Sequence, residues 1–219
     1  MRPVSRRLTD RGEERRRQLL TYATARFAEH GYHPTSVADI VNGLGVGKGV
    51  FYWYFDNKEE LFRSILREAQ LDLRRRQRDA LAGAPDPLSR IAAGIRASVR
   101  WSAEHHELFT LVAFAATDDR FSGLVRRGQE VAVADAMRHV DDAIEQGLIP
   151  DRNPLELTRA MFGVTSELTR HFLHQEPEAA VSVDEIAETA AQFCLGGLLG
   201  PDARDADVHP VARSSRPLG

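Results

Sequence analysis

The chain has 219 residues, 42% of them hydrophobic and 28% charged, with a formal net charge of −3 at pH 7. That is enough chain for one large or two modest domains with a real core. The balance is ordinary for a soluble globular protein and excludes an indiscriminately polycationic nucleic-acid binder.

No stretch approaches the ~20 consecutive apolar residues of a membrane span. The charged N-terminal segment MRPVSRRLTDRGEERRR leads into no apolar run, and the single Cys194 cannot form an intrachain disulfide. The expectation is a cytoplasmic protein. Charge is unevenly spread: residues 1–64 carry 11 Lys+Arg against 8 Asp+Glu, and residues 65–219 carry 18 against 24. A basic first third would present one end of the molecule to a polyanion. Arg outnumbers Lys 27 to 2, and both lysines, Lys48 and Lys58, fall in one short segment.

Apolar residues recur at spacings of three and four, so the chain reads as helix almost throughout. The first helix is predicted from about Asp10 to His30, with Leu19, Leu20, Ala23, Phe27 and Ala28 as its stripe and Gly31 as its stop. Pro34 breaks the chain, and Thr35 or Ser36 caps a short second helix, Val37 to Leu44. Gly45 makes a turn into a third short helix, about Gly47 to Phe55. Asp56 or Asn57 caps a fourth, which starts at Lys58, places Glu59 and Glu60 at the positive end of its dipole, and continues past Leu81. After the Ala82–Pro87 break come five helical stretches at about 88–104, 105–117, 121–146, 154–175 and 182–199. The expected fold class is all-α, about nine helices, with a three-helix head joined to an all-helical body. The expected organisation is a flexible arm over 1–9, the head over 10–57, the body over 58–200 and a disordered tail over 201–219.

The head carries the pattern of a helix-turn-helix. Gly45 supplies the residue tolerant of positive φ at the turn. Helical spacing puts Ile40, Leu44, Val46, Phe51 and Tyr54 on inner faces, with Phe55 also read as core. The outward face of the third helix is then Gly47, Lys48, Gly49, Tyr52 and Trp53. Each glycine costs about 1 kcal/mol in a helix interior, a cost that close backbone approach to a base edge or phosphate would offset. Lys48 suits a phosphate or a guanine edge, Tyr52 a phosphate, and Trp53 a thymine methyl or sugar. Thr35, Ser36 and Lys58 sit at helix starts with free backbone N–H groups, which suit phosphates.

The run TSVADIVNGLGVGKGVFYWYFDNKEEL, Thr35 to Leu61, resembles the signature of the TetR family of regulators. Residues 11–62 as a whole are similar to that family's DNA-binding domain. The resemblance implies Thr35, Ser36, Gly47, Lys48, Gly49, Tyr52, Trp53 and Lys58 as the DNA-facing set. Three positions depart from the pattern: Gly47 stands where serine or threonine is usual, Ala38 where arginine is frequent, and Val41 where alanine is usual. Arg2, Arg6, Arg7 and Arg11 form an arginine-rich arm that either adds backbone or minor-groove contacts or is simply solvated.

One recognition helix reads few base pairs, and two half-sites on a two-fold axis solve that. The last two helices carry apolar stripes and small residues that suit a dimer contact, as the resemblance also implies. The expected interface comprises Met161, Val164, Leu168, Phe172, Ile186, Ala190, Phe193 and Gly197. The body also holds Trp101, His105, Phe109, Phe114, Met137, Met161 and Phe162, candidates to line an apolar effector pocket. Glu104–Glu107 spread around a helix, His171 and His174 lack a third ligand, and no nucleophile motif or phosphate loop is present, so no enzyme activity, cofactor or metal is implied. These features together imply a homodimeric DNA-binding transcription regulator, foremost a repressor released from a pseudo-palindromic operator by a small molecule. An activator or partner-controlled regulator stays open, as does a small-molecule-binding bundle with a vestigial head.

Overall fold

The computed structural model describes residues 9–173 and 181–200. Among them lie nine helices: α1 (Asp10–His30), α2 (Val37–Gly43), α3 (Lys48–Tyr54), α4 (Lys58–Leu81), α5 (Pro87–Glu104), α6 (His106–Thr117), α7 (Ser122–Glu145), α8 (Pro154–Leu173) and α9 (Val183–Leu199). Residues 1–8 of the expected arm and the whole expected tail lie outside the described residues; Thr9 is the N-cap of α1, and Arg11 falls within its first turn and is exposed.

Side-chain caps fix where the helices begin. Thr9 accepts from the Gly12 amide, Asn57 from the Glu60 amide at 2.8 Å, and Asp86 from the Ser89 amide at 2.9 Å. Ser36 and Ser182 each form a full capping box, with Asp39 and Glu185. Pro87 and Pro154 open α5 and α8, where a missing N–H costs nothing. The expected starts of α3 and α6 differ by one residue: Gly47 and His105 occupy the N-cap positions, without a side-chain cap bond, rather than the first helical residues.

The chain divides into two units. The first comprises the chain up to Arg75 with Trp101–Val131, the second Arg76–Arg100 with the chain from Ala132 on. In the first, α1 packs on α2 and α6. Its core takes Leu19, Phe27, Ile40 and Phe51 from the head, and also Leu61, Phe62, Leu111, Ala115 and Phe121. Phe27, Tyr32, Phe62, Phe114 and Phe121 form one aromatic cluster, with Phe62–Phe121 centroids at 4.6 Å and Tyr32–Phe62 at 4.9 Å. The three head helices therefore do not close their own core, and residues well downstream complete it. Each such buried ring contributes roughly 2–3 kcal/mol of transfer free energy.

In the second unit α8 packs on α9. Ala187, Ala190, Ala191, Cys194 and Leu198 of α9 are buried with Ile91, Ile95, Val99, Val140 and Met161. Arg96 grips Glu188 with Nε at 2.7 Å and a second nitrogen at 3.1 Å, and Arg100 Nε meets Asp184 at 2.8 Å one turn away. This ties α5 to α9.

Candidate nucleic-acid interface

The turn between α2 and α3 is a Schellman motif. The Val46 amide donates to the Val41 carbonyl (2.9 Å) and the Gly45 amide to the Asn42 carbonyl (3.1 Å), with Gly45 at φ +66°. A β-carbon is strained at that φ, so the sharp exit from α2 depends on glycine. The motif sets the direction in which α3 leaves. The Asp39 side of the capping box fixes where α2 starts, with the Ser36 amide donating to Asp39 Oδ2 at 2.8 Å and the Ser36 hydroxyl at 2.7 Å. These bonds hold the Asp39 carboxyl below its ordinary value.

On α3 the inner and outer faces separate cleanly. Phe51 is fully buried, with Phe55 buried behind it, while Tyr52 is 55% and Trp53 64% exposed. Lys48, Gly47 and Gly49 are exposed beside them. A β-carbon built on Gly47 or Gly49 meets nothing within 4 Å. Packing inside the protein therefore gives no reason for either glycine, and the outward surface stays free for close approach of another backbone. A cation, a phenol and an indole on one short exposed helix surface are the side chains that meet phosphates, guanine edges and thymine methyls in a major groove.

Two members of the expected set are placed differently. Thr35 is buried, and its hydroxyl donates inward to the Gly31 carbonyl at 2.8 Å. Lys58 turns its ammonium onto the carbonyl oxygens of Thr35 (2.7 Å), Tyr32 (2.8 Å) and His33 (3.3 Å), and over the Tyr32 ring at 4.4 Å from its centroid. Burial, with Arg120 close by, lowers the Lys58 ammonium from its ordinary value. Arg120 lies 4.9 Å from the same ring and is held by Asp118 through Nε at 2.9 Å and a terminal nitrogen at 2.6 Å. The pair holds the Asp118 carboxyl at about 2 and raises the Arg120 guanidinium. Sequence spacing offered no signal for Arg120, which lies far beyond the head. The Asp39 cap was signalled by the Ser-x-x-Asp spacing.

The seven pocket candidates fall in both units: Trp101, His105, Phe109 and Phe114 in the first, Met137, Met161 and Phe162 in the second. The indole of Trp101 donates to Asp72 at 2.8 Å, the His105 ring sits 4.9 Å from it, and Phe114 belongs to the aromatic cluster. Of the dimer candidates, Met161 and Ala190 are buried in the core of their own unit, and Val164, Leu168 and Ile186 pack partly against it. Phe172 is half-buried, while Phe193 and Gly197, one turn apart on α9, are exposed. His174 lies outside the described residues.

Comparison with known proteins bears on the same segment. Residues 19–65 match the model of the bacterial regulatory proteins, tetR family. A 100-residue stretch, 46% of this chain, is 36% identical to the HTH-type transcriptional repressor KstR2 of Mycobacterium tuberculosis and spans 50% of that relative's length. The HTH-type transcriptional activator FasR of Mycolicibacterium smegmatis is 27% identical over 190 residues, 85% of this chain and 84% of that one. The solved structure of the ketosteroid transcriptional regulator KstR2 of Mycobacterium tuberculosis superimposes with a TM-score of 0.67 at 25% identity, covering 89% of this chain and 98% of that chain.

Proposed function

Because the chain belongs to the TetR family of bacterial regulatory proteins, we propose that it is a sequence-specific DNA-binding repressor. In this reading it works in the cytoplasm, as a homodimer on a pseudo-palindromic operator, without an enzymatic step, and a small apolar molecule releases it. The observation that carries the reading is the outward face of α3. Lys48, Tyr52 and Trp53 are exposed beside two glycines whose missing side chains the protein itself does not require.

The shortness of that face supports two-fold pairing, since seven residues of α3 reach too few bases for useful specificity. Exposed Phe193 and Gly197 on α9 support a contact between copies there. The apolar character of the effector rests on the aromatic side chains of the body and on the ketosteroid in the name of a relative similar over most of the chain. A ligand that binds one arrangement of the heads better than another changes operator affinity by that difference.

Gel shifts with the DNA upstream of the gene and with fragments enriched from random sequence test the reading. Wild type is expected to give a complex that competitor DNA does not remove, weakened by Lys48→Ala and Tyr52→Ala. Binding that competitor removes on every fragment would refute it. Activation is the second reading, supported by similarity to an activator over 84% of that protein's length. The sign of the reporter change on deletion decides between the two.

A further inference from the structure

The two lysines of this chain have opposite surroundings, although both lie in the segment that faces DNA in the proposed function. Lys48 is exposed at the start of α3. The Lys58 ammonium has three N–H bonds and three carbonyl acceptors around it, those of Tyr32, His33 and Thr35, at 2.8, 3.3 and 2.7 Å. The Tyr32 ring lies beside it, its centroid 4.4 Å from the nitrogen. No donor remains for a phosphate.

These carbonyls belong to the Gly31–Ser36 loop, where Pro34 has no N–H and the Thr35 hydroxyl is already committed to Gly31. The loop ends at Ser36, the cap of α2. One cation therefore ties the first residue of α4 to the segment that sets where α2 begins, and α2 sets α3 through the Gly45 turn. We propose that Lys58 is a positioning residue for operator binding: it aims the helix-turn-helix by gathering the loop carbonyls and makes no phosphate contact. The inference rests on the head being the DNA-binding element.

Removing the ammonium leaves three carbonyls of a partly buried loop without their charged partner, and the loop must open to water to satisfy them. Arginine is no substitute. Its planar fork points its donors outward within one plane and does not converge three of them on a single point. A lysine that touched phosphate would behave differently on both counts, because arginine serves phosphate as well or better.

With only two lysines in the chain, amine labelling reports on each separately. Full-length wild type is acetylated briefly, free and bound to a fragment it has enriched from random DNA, and modification at Lys48 and Lys58 is read by mass spectrometry. Lys48 is expected to label fast and to be protected by DNA, and Lys58 to label slowly in both states. In parallel, affinity is measured across salt concentrations for wild type, Lys48→Met, Lys58→Met and Lys58→Arg. Lys48→Met is expected to lower the salt slope by about 0.9 per head. Lys58→Met and Lys58→Arg are both expected to weaken binding on the order of tenfold with the slope of wild type. The inference is overturned if Lys58 labels fast in the free protein, if DNA protects it, if Lys58→Met lowers the slope, or if the folded Lys58 variants bind as wild type does. Should Lys58→Met not fold, labelling of wild type and the Lys58→Arg titration still decide. If wild type enriches no sequence, the repressor reading fails and the positioning role fails with it, even where Lys58 is slow to label.

Discussion

Gly43 of α2 lies so close to Tyr22 of α1 that a β-carbon at position 43 would overlap the Tyr22 hydroxyl. The space beside this glycine is filled by the Tyr22 ring, whereas at Gly45 the backbone itself calls for glycine. The atoms in the way are the far end of the half-buried Tyr22 side chain, which can swing aside, so Gly43→Ala is expected to destabilise the protein by up to about 1 kcal/mol through loss of that contact. In a Tyr22→Ala background the same substitution should instead stabilise, by up to about 1 kcal/mol, because alanine is the better helix former. Urea unfolding of the four proteins in a double-mutant cycle checks this, and additive effects would remove the contact from the account.

Gly49→Ala should separate stability from binding. The added methyl meets nothing in the protein, so α3 is expected to gain about 0.5–1 kcal/mol in unfolding experiments. Operator affinity is expected to fall about tenfold or more in gel shifts, because the methyl occupies the space a DNA backbone or base edge would enter.

Neighbouring aromatics on α3 should respond in opposite ways. Phe51→Ala removes a fully buried ring and is expected to cost about 3–5 kcal/mol by denaturant unfolding. Trp53→Ala removes a ring that is mostly exposed, should leave the unfolding midpoint within about 0.5 kcal/mol of wild type, and should weaken operator binding.

The Asp118–Arg120 pair gives the first unit an acid limit. The Asp118 carboxyl sits at about 2 in the fold against an ordinary 3.8. A depressed carboxylate contributes stability that is fully present above its unfolded value and disappears as pH falls through its folded one. The melting temperature of wild type should therefore exceed that of Asp118→Asn at pH 6, with the gap closing between about 4 and about 2. A gap that stays constant down to pH 2 would assign the difference to packing.

Phe193 tests assembly. Its ring is 64% exposed on α9, so Phe193→Asp should spare the fold of the single chain while converting a dimer to monomer in sedimentation velocity. Operator affinity should fall with it. An unchanged mass would move the interface elsewhere.

Much of this molecule was legible from spacing. The three- and four-residue recurrence located the helices, and the turn glycine with its flanking apolar residues placed Phe51 inside and Tyr52 and Trp53 outside, because burial on a short helix is fixed by angle alone. What spacing does not reveal is the partner a face packs against. The stripe of α1 is plain in Leu19, Ala23 and Phe27, yet nothing local says that Leu111, Ala115 and Phe121 will meet the same core. The same holds for polar ends. Lys58 stands at a helix start, where backbone amides suggest a phosphate, but carbonyls 23 to 26 residues earlier reach its ammonium. Buried Ala190 shares the α9 stripe with exposed Phe193, and a stripe wider than one neighbour does not say which of its members face inward.

The aromatic cluster of the first unit bears on how such a chain can be recombined. Phe27, Tyr32 and Phe62 are sealed by Phe114 and Phe121, so a head cut away at Phe55 carries an open, greasy wound and is not an interchangeable part. Crossovers between related genes at that point would pair a head with a lid shaped for another. Exchanges that carry the stretch around Phe114–Phe121 along with the head keep the seal, and a chimera designer should treat these two distant segments as one inheritance.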